Sequence, residues 1–230
     1  RYALSRAAEI LGRAHADLRL ISCHLDDDGG SVCAVRAGSP VAISSGFTAQ
    51  SGLVSETAPG DFDPGIFPHA MRSLGLQVGE LAAVVSRESG LLGVSGISGD
   101  VRELETAAAA GSERARLALE LYIRSARHYL GAYAVELGGC DVLTFSGRVA
   151  EACPLVRAAI CRDLEFLGIH LDPARNAACR GTEAALSPGA WPVRVLALLG
   201  GEELIIARDV ARAIAAGRKA ATAAHPSAVA

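Results

Sequence analysis

The sequence lacks any apolar run long enough to cross a bilayer, so no transmembrane helix organises it. It also lacks an excess of charge of either sign: 22 Lys and Arg stand against 25 Asp and Glu, a formal net charge of −3. That balance leaves no electrostatic footprint for nucleic acid or for an anionic membrane surface. No Cys-x-x-Cys pair and no regular ladder of cysteines is present. Cys23, Cys33, Cys140, Cys153, Cys161 and Cys179 therefore read as small apolar fillers in a reducing cytosol, not as metal ligands or a disulfide framework. No initiator Met and no cleavage site accompany the amphipathic opening "RYALSRAAEILGRAHADLRL". That stretch does not read as a signal peptide, and an Arg in first place suggests a sequence that begins inside a longer protein. No internal repeat stands out.

What is there describes a folded α/β protein. Half of the 230 residues are apolar and 25 are Gly, the composition of a chain that can bury a core. Ala and Leu recur at helical spacing up to Leu11, and "DLRLISCHL" then alternates as a strand does. "SVCAVRAGSPVAISSG" predicts a hairpin turning at Ala37-Gly38-Ser39-Pro40. The turn-rich "SSGFTAQSGLVSETAPGDFDPG" is too long for a simple connection and predicts a functional loop or a dimer contact. Helices are expected over Ile66–Leu74 and Val78–Ser89, after Asp100, over Ser112–Leu137, and around "CPLVRAAICRDLEFLG". "CDVLTFSG" and "PVRVLALL" read as strands. A short strand is expected before the loop "PARNAACRGTEAALSPGAW", a last helix from Glu202, and a disordered tail over 220–230. Strands followed by helices, with a hairpin near the start, give a mixed sheet flanked by helices.

The blocks "CHL", "GGSVCAVRAGSPV", "GDFDPG", "SRESGLLGVSGISGDVRELE", "YLGAYAVELGGCDVLTF", "LEFLGIHLDPARN" and "EELIIARD" occur in the order and spacing of one family. The sequence resembles acetate kinase and its relatives, the acetate and propionate kinases of the actin/sugar-kinase/Hsp70 superfold, from Arg1 to about Arg212. The resemblance implies a ribonuclease-H-like, actin-like ATPase domain. It implies a two-domain kinase moving phosphate from ATP to a small carboxylate as an acyl phosphate, with Mg²⁺, a cleft between the domains and a cytoplasmic homodimer. The match starts just beyond the family's "FHGTSH" block. The first domain, which carries most of the carboxylate pocket, lies outside it, and residues 1–219 resemble the second, nucleotide-binding domain.

Residue by residue, the resemblance implies roles that the local sequence supports unevenly. His24 matches a loop histidine beside the phosphates, where an imidazole can donate to an oxygen. The family's "HLGNG" is here "HLDDDGG". Asp26, Asp27 and Asp28 oppose a triphosphate by Coulomb repulsion and read more simply as a solvated acidic turn. Gly29, Gly30 and Ser31 retain part of a cradle. "ETAPGDFDP" stands for "GTRSGDIDP", so the Arg that would neutralise the transferring phosphoryl group falls on Ala58. Asp61, Asp63 and Pro64 read as turn formers.

Asp100, Val101 and Arg102 match a triplet that contacts base and ribose; the plainer reading is a helix cap with an exposed Arg. "FSGRVAEACP" stands for "FTAGIGENSP". Gly147, Arg148, Val149 and Glu151 occupy the nucleotide loop, with Arg148, Ala150 and Ala152 where the family has Gly, Gly and Asn. Glu202, with Glu203, matches a Glu that helps hold Mg²⁺ through water. The resemblance implies an ATP:short-chain-carboxylate phosphotransferase making acetyl phosphate, with ATP/ADP and a small carboxylate as ligands, and a chain inactive on its own. The alternative is a non-catalytic, degenerate kinase domain that dimerises or binds nucleotide.

Overall fold

The computed structural model describes residues 1–189, 191–201, 206–208 and 210–214. Residues 3–199 form one compact unit, and residues 1 and 2 group with the chain from 200 onward as a second. In chain order the elements are α1 (Tyr2–Leu11), β1 (Arg19–Asp26), β2 (Gly29–Arg36), β3 (Ser39–Ile43), α2 (Ile66–Leu74), α3 (Val78–Arg87), α4 (Gly90–Ser95) and α5 (Val101–Ala109). There follow α6 (Glu113–Leu137), β4 (Val142–Ser146), α7 (Arg148–Ala152), α8 (Pro154–Cys161), α9 (Pro173–Ala178), β5 (Ala184–Ala185) and β6 (Arg194–Ala197). In the second unit, residues 206–208 and 210–214 are helical. Glu202, Glu203 and the tail 220–230 lie outside the described residues.

The strands form one sheet in the order β3-β2-β1-β4-β6-β5. β1 pairs β4 and β4 pairs β6 in parallel, while β1–β2, β2–β3 and β5–β6 are antiparallel. This is the mixed sheet flanked by helices that the patterning predicts. Every residue of β4 is buried, as a central parallel strand covered on both faces must be.

The largest helix, α6, closes over the sheet with a buried stripe at three- and four-residue intervals: Ala118, Tyr122, Ala126, Leu130, Ala134 and Leu137. It meets α4, α5, α8, β1 and β2 around Ile21, Leu25, Leu143 and Phe145, all at 0% exposure. Burying each such side chain contributes about 1.5–3 kcal/mol. The helix starts where Ser112 Oγ accepts the Ala115 amide at 3.3 Å and stops at Gly138, whose φ of 65° suits a left-handed cap. Five of the six cysteines are buried and Cys33 is half-buried, so they do serve as core filler.

Two details differ from the sequence expectation. The β2–β3 turn is narrower, made by Ala37 (φ 50°) and Gly38 (φ 84°), and Ser39 and Pro40 already belong to β3. Pro40 is tolerated there because β3 is an edge strand with a register shift opposite Ala34 and Val35. Further on, residues 169–171 form no strand, although Ile169 is fully buried; the short strand is β5, inside the segment expected to be a loop. That segment also contains α9, capped by the Asp172 carboxylate on the amides of Ala174 (2.9 Å) and Arg175 (3.0 Å), with Pro173 in the first turn.

Candidate functional site at the carboxyl ends of β1 and β4

Parallel neighbours in an α/β sheet bring their carboxyl ends to one edge, where loops from both can build a site. The β1–β4 register sets His24 opposite Ser146, and His24 Nδ1 lies 3.0 Å from Ser146 Oγ. Beyond His24, β1 turns into β2 through Asp27 and Asp28, with Asp26 paired to Gly29. The stretch "HLDDDGG" is thus a tight hairpin tip. Beyond Ser146 the chain enters α7 with Arg148. The same register therefore brings the acidic tip and Arg148 together, although 122 residues separate Asp26 from Arg148.

The tip is not simply solvated. Asp28 is exposed, but the side chains of Asp26 and Asp27 are only 24% and 22% exposed. Arg148 Nε donates to Asp26 Oδ1 at 2.7 Å, and another guanidinium nitrogen lies 3.4 Å from Asp27 Oδ2. The Asp27 amide donates to Asp26 Oδ1 at 2.8 Å. His24 Nε2 stands 4.0 Å from the other Asp26 oxygen. Burial alone would raise the Asp26 pKa; hydrogen bonds from Arg148 and the Asp27 amide outweigh it and hold the carboxyl below its ordinary 3.8.

Asp100 and Arg102 complete the cluster. Asp100 caps α5 by accepting the Arg102 amide at 2.8 Å, and the Arg102 guanidinium donates to both Asp100 oxygens at 2.9 and 2.6 Å. The side-chain bond from Arg102 is the main cause of the lowered Asp100 pKa. Arg102 also reaches Asp27 at 3.8 Å. His24, Asp100, Arg102, Gly147 and Arg148, singled out separately in the sequence, therefore border the same hairpin tip.

Other candidates serve the scaffold. The side chains of Val101 and Val149 are buried in the core at 3% exposure, leaving only their backbones for a ligand. A Cβ on Gly30 would stand 2.7 Å from the His24 carbonyl oxygen, and one on Gly147 (φ 89°) 2.3 Å from that of Leu25. Both glycines are thus required by the protein's own backbone; Gly29 has open space instead. Ser31 pairs with His24 across the hairpin. The Glu151 amide donates to the Gly147 carbonyl at 2.8 Å, and the Glu151 carbonyl accepts from Gly181 at 3.1 Å.

Ala58 is 6% exposed, and its amide and carbonyl are both bound by Ser55. Asp63 forms the expected turn, its Oδ1 accepting the Gly65 amide at 2.8 Å. Asp61 does more than turn the chain: it accepts the Gly52 amide at 2.8 Å and the Tyr129 hydroxyl. It lines a separate cavity of about 770 Å³ together with Glu88, Arg124, Ser125, His128 and Tyr129.

Sequence reasoning missed Arg157, at 0% exposure on α8. It donates to the carbonyls of Ala150, Glu151 (3.2 Å), Asn176 (3.0 Å) and Cys179 (2.6 Å), and to Asn176 Oδ1 (2.8 Å). It clamps the loop around α7 to α9. A lone Arg inside the apolar "PLVRAAIC" was the available signal.

No three His, Cys, Asp or Glu side chains converge to hold a metal among the described residues. Asp26 already accepts from Arg148 and Asp27 lies 3.4 Å from the same guanidinium, so the hairpin tip does not fit a divalent cation; Glu202 lies outside the described residues.

Comparisons with known proteins agree with this architecture. A family model described as "Acetokinase family" matches residues 1–208. The acetate kinase of Geobacillus sp. (strain WCH70) is 44% identical over 212 residues, 92% of this chain and 53% of that protein. That of Clostridioides difficile (strain 630) is 43% identical over 213 residues, 93% and 53% of the two chains. Among solved structures, Porphyromonas gingivalis acetate kinase superposes with a TM-score of 0.87 at 40% identity, covering 90% of this chain and 52% of that one. A propionate kinase from Francisella tularensis gives 0.81 at 31% identity, with 89% and 51% covered. The chain spans about half the length of the curated relatives it matches. The fold is the actin-like ATPase fold of these kinases, and the chain belongs to the acetokinase family.

Proposed function

We propose that this chain is the nucleotide-side half of an ATP:short-chain-carboxylate phosphotransferase, and that these 230 residues alone form no acyl phosphate. The observation that carries the first part is the meeting of His24, Asp100, Arg102 and the Gly147–Glu151 loop around one end of β1 and β4, within a family match over most of the chain. In this reading the ATP or ADP phosphates face the β1–β2 hairpin and α7, and the ribose and base face α5. His24 and Arg148 are the donors nearest the phosphates, and Asp100 is the acceptor suited to ribose hydroxyls.

The second part rests on Ala58, a methyl group where the resemblance implies a charge-neutralising Arg. Phosphoryl transfer depends on such cationic clamps, and losing one costs on the order of 10³-fold or more in rate. The Mg²⁺ implied by the resemblance finds no ligand set among the described residues. The carboxylate acceptor, the homodimer and the cytoplasmic setting belong to the same proposal.

The pairing of Asp26 with Arg148 favours a second reading, in which the domain is non-catalytic and serves as a dimerisation or weak nucleotide-binding module. Hydroxamate trapping of acyl phosphate from ATP and acetate, with calorimetric titration of ATP and ADP with and without Mg²⁺, tests both. We expect no hydroxamate and weak nucleotide binding. Sustained turnover by the 230 residues would overturn the inactivity. Absence of any binding would leave the dimerisation role, which light scattering then reads as a dimeric mass.

A further inference from the structure

We infer that Asp26 and Asp27 set the ligand specificity of this site by acting through Arg148: they hold its guanidinium as an internal stand-in for a ligand phosphate, and so select against polyphosphates. The inference rests on the proposed nucleotide site at the ends of β1 and β4 and concerns what that site discriminates.

Three observations carry it. First, both oxygens that a phosphate would offer Arg148 have carboxylate counterparts in place, Asp26 Oδ1 at 2.7 Å and Asp27 Oδ2 at 3.4 Å. Second, the arrangement is tertiary and not a local turn: the parallel register that pairs His24 with Ser146 brings the two segments together, and Gly147 permits the backbone approach with its φ of 89°. Third, the Arg148 side chain is 66% exposed whereas its two acceptors are less than a quarter exposed. The cation thus faces solvent and is available to a ligand once its acceptors are neutralised. Arg102 is held in the same way, 2.6 Å from Asp100 and 3.8 Å from Asp27. Four carboxylates, counting exposed Asp28, then act on two guanidiniums, and an arriving phosphate meets a site already over-neutralised.

Each uncompensated carboxylate about 6 Å from a phosphate charge lowers affinity roughly threefold in water-like surroundings, so two of them acting on a polyphosphate amount to about tenfold or more at low salt. The loss falls on phosphate-bearing ligands alone; a nucleoside is indifferent to it. Neutral Asn side chains at 26 and 27 keep the shape of the tip and leave Arg148 free.

Calorimetric titration of the 230-residue chain with adenosine, ADP and inorganic tripolyphosphate at low salt tests this, comparing the parent with Asp26→Asn/Asp27→Asn and with the same pair plus Arg148→Ala. We expect about tenfold tighter ADP and tripolyphosphate binding in the double variant, unchanged adenosine binding, and loss of the gain when Arg148 is removed. Asp27→Asn alone, which leaves the Asp26–Arg148 bond in place, should give a smaller gain, and circular dichroism reports that each variant is folded. Adenosine binding with no gain for the phosphate ligands overturns this inference and spares the nucleotide site. A gain that persists without Arg148 overturns the route through that residue. Failure of all three ligands to bind any variant overturns the nucleotide site itself, and this inference with it.

Discussion

Replacing Arg157 by Met should cost about 3–5 kcal/mol of folding stability, the range for leaving a buried charged network broken. The guanidinium is fully buried on α8, and burial pulls its pKa below the ordinary arginine value. It has no carboxylate partner among the described residues; its acceptors are the carbonyls of Ala150, Glu151, Asn176 and Cys179 and the side-chain oxygen of Asn176. Hydrogen bonds to a charged donor contribute about 1.5–3 kcal/mol each before the desolvation of the guanidinium is subtracted, so a net loss well below their sum follows. Met matches the length and removes the donors, leaving carbonyls without a partner in a dry interior. Lys keeps the charge but cannot reach all of these acceptors at once, and about 2 kcal/mol should still be lost. Urea unfolding followed by circular dichroism reads the effect. With a slope of about 2 kcal/mol per molar, the midpoint of Arg157→Met should fall by roughly 1.5–2.5 M. A midpoint unchanged within error, or raised, would refute the reasoning, because it would mean that the α7–α9 region packs as well around a thioether as around the clamp. Hydrogen exchange should show faster opening of residues 148–152 in the same variant.

Further outcomes follow from single positions. Gly147→Ala should destabilise by about 2–4 kcal/mol in the same urea assay, since its Cβ would stand 2.3 Å from the Leu25 oxygen at a φ of 89°. Asp26, Asp100 and Asp141, the last accepting from the Arg19 guanidinium at 2.9 Å, have folded pKa values below 3.8, so the stability they contribute is complete above that value and is lost as pH falls through the lower folded values. Glu105, raised by burial, works in the opposite sense. The melting temperature should therefore hold down to about pH 5 and drop below pH 3.8, and Arg148→Ala should lessen the drop. Burial pushes the Cys23 and Cys140 thiols up to about 12 and Cys153 to about 11, while Cys33 is half-buried. Thiol titration at pH 8 should label Cys33 first in the native protein and all six cysteines after denaturation.

The physics that made parts of the fold legible is local periodicity and capping. The three- and four-residue spacing of Ala118, Tyr122, Ala126 and Leu130 marks α6, and Ser112 and Gly138 mark its ends. The apolar Val142, Leu143 and Phe145 of "CDVLTF", bounded by the glycines on either side, mark β4 as a buried strand. Pattern failed where pairing is sparse. β5 is two residues long and exists through its bonds to β6, and Pro40 belongs to a strand because β3 lies at an edge. α9 was legible in the Asp172-Pro173 cap but was obscured by the loop-like composition around it.

By itself the sequence determined the mixed α/β class, the family, and the substitution of an acidic tip, an Arg and an Ala into positions where the resemblance implies Gly, Gly and Arg. It presented those changes as separate losses. The tertiary structure decided that two of them are one feature: the parallel register of β1 and β4 joins Asp26 to Arg148 across 122 residues at 2.7 Å. It also decided why positions 147 and 30 must be glycine here, through backbone oxygens that a Cβ would strike, and where the interior holds its only fully buried guanidinium among the described residues. Such facts depend on which strands become neighbours, and a linear pattern encodes each residue's preference without the distance to its partner.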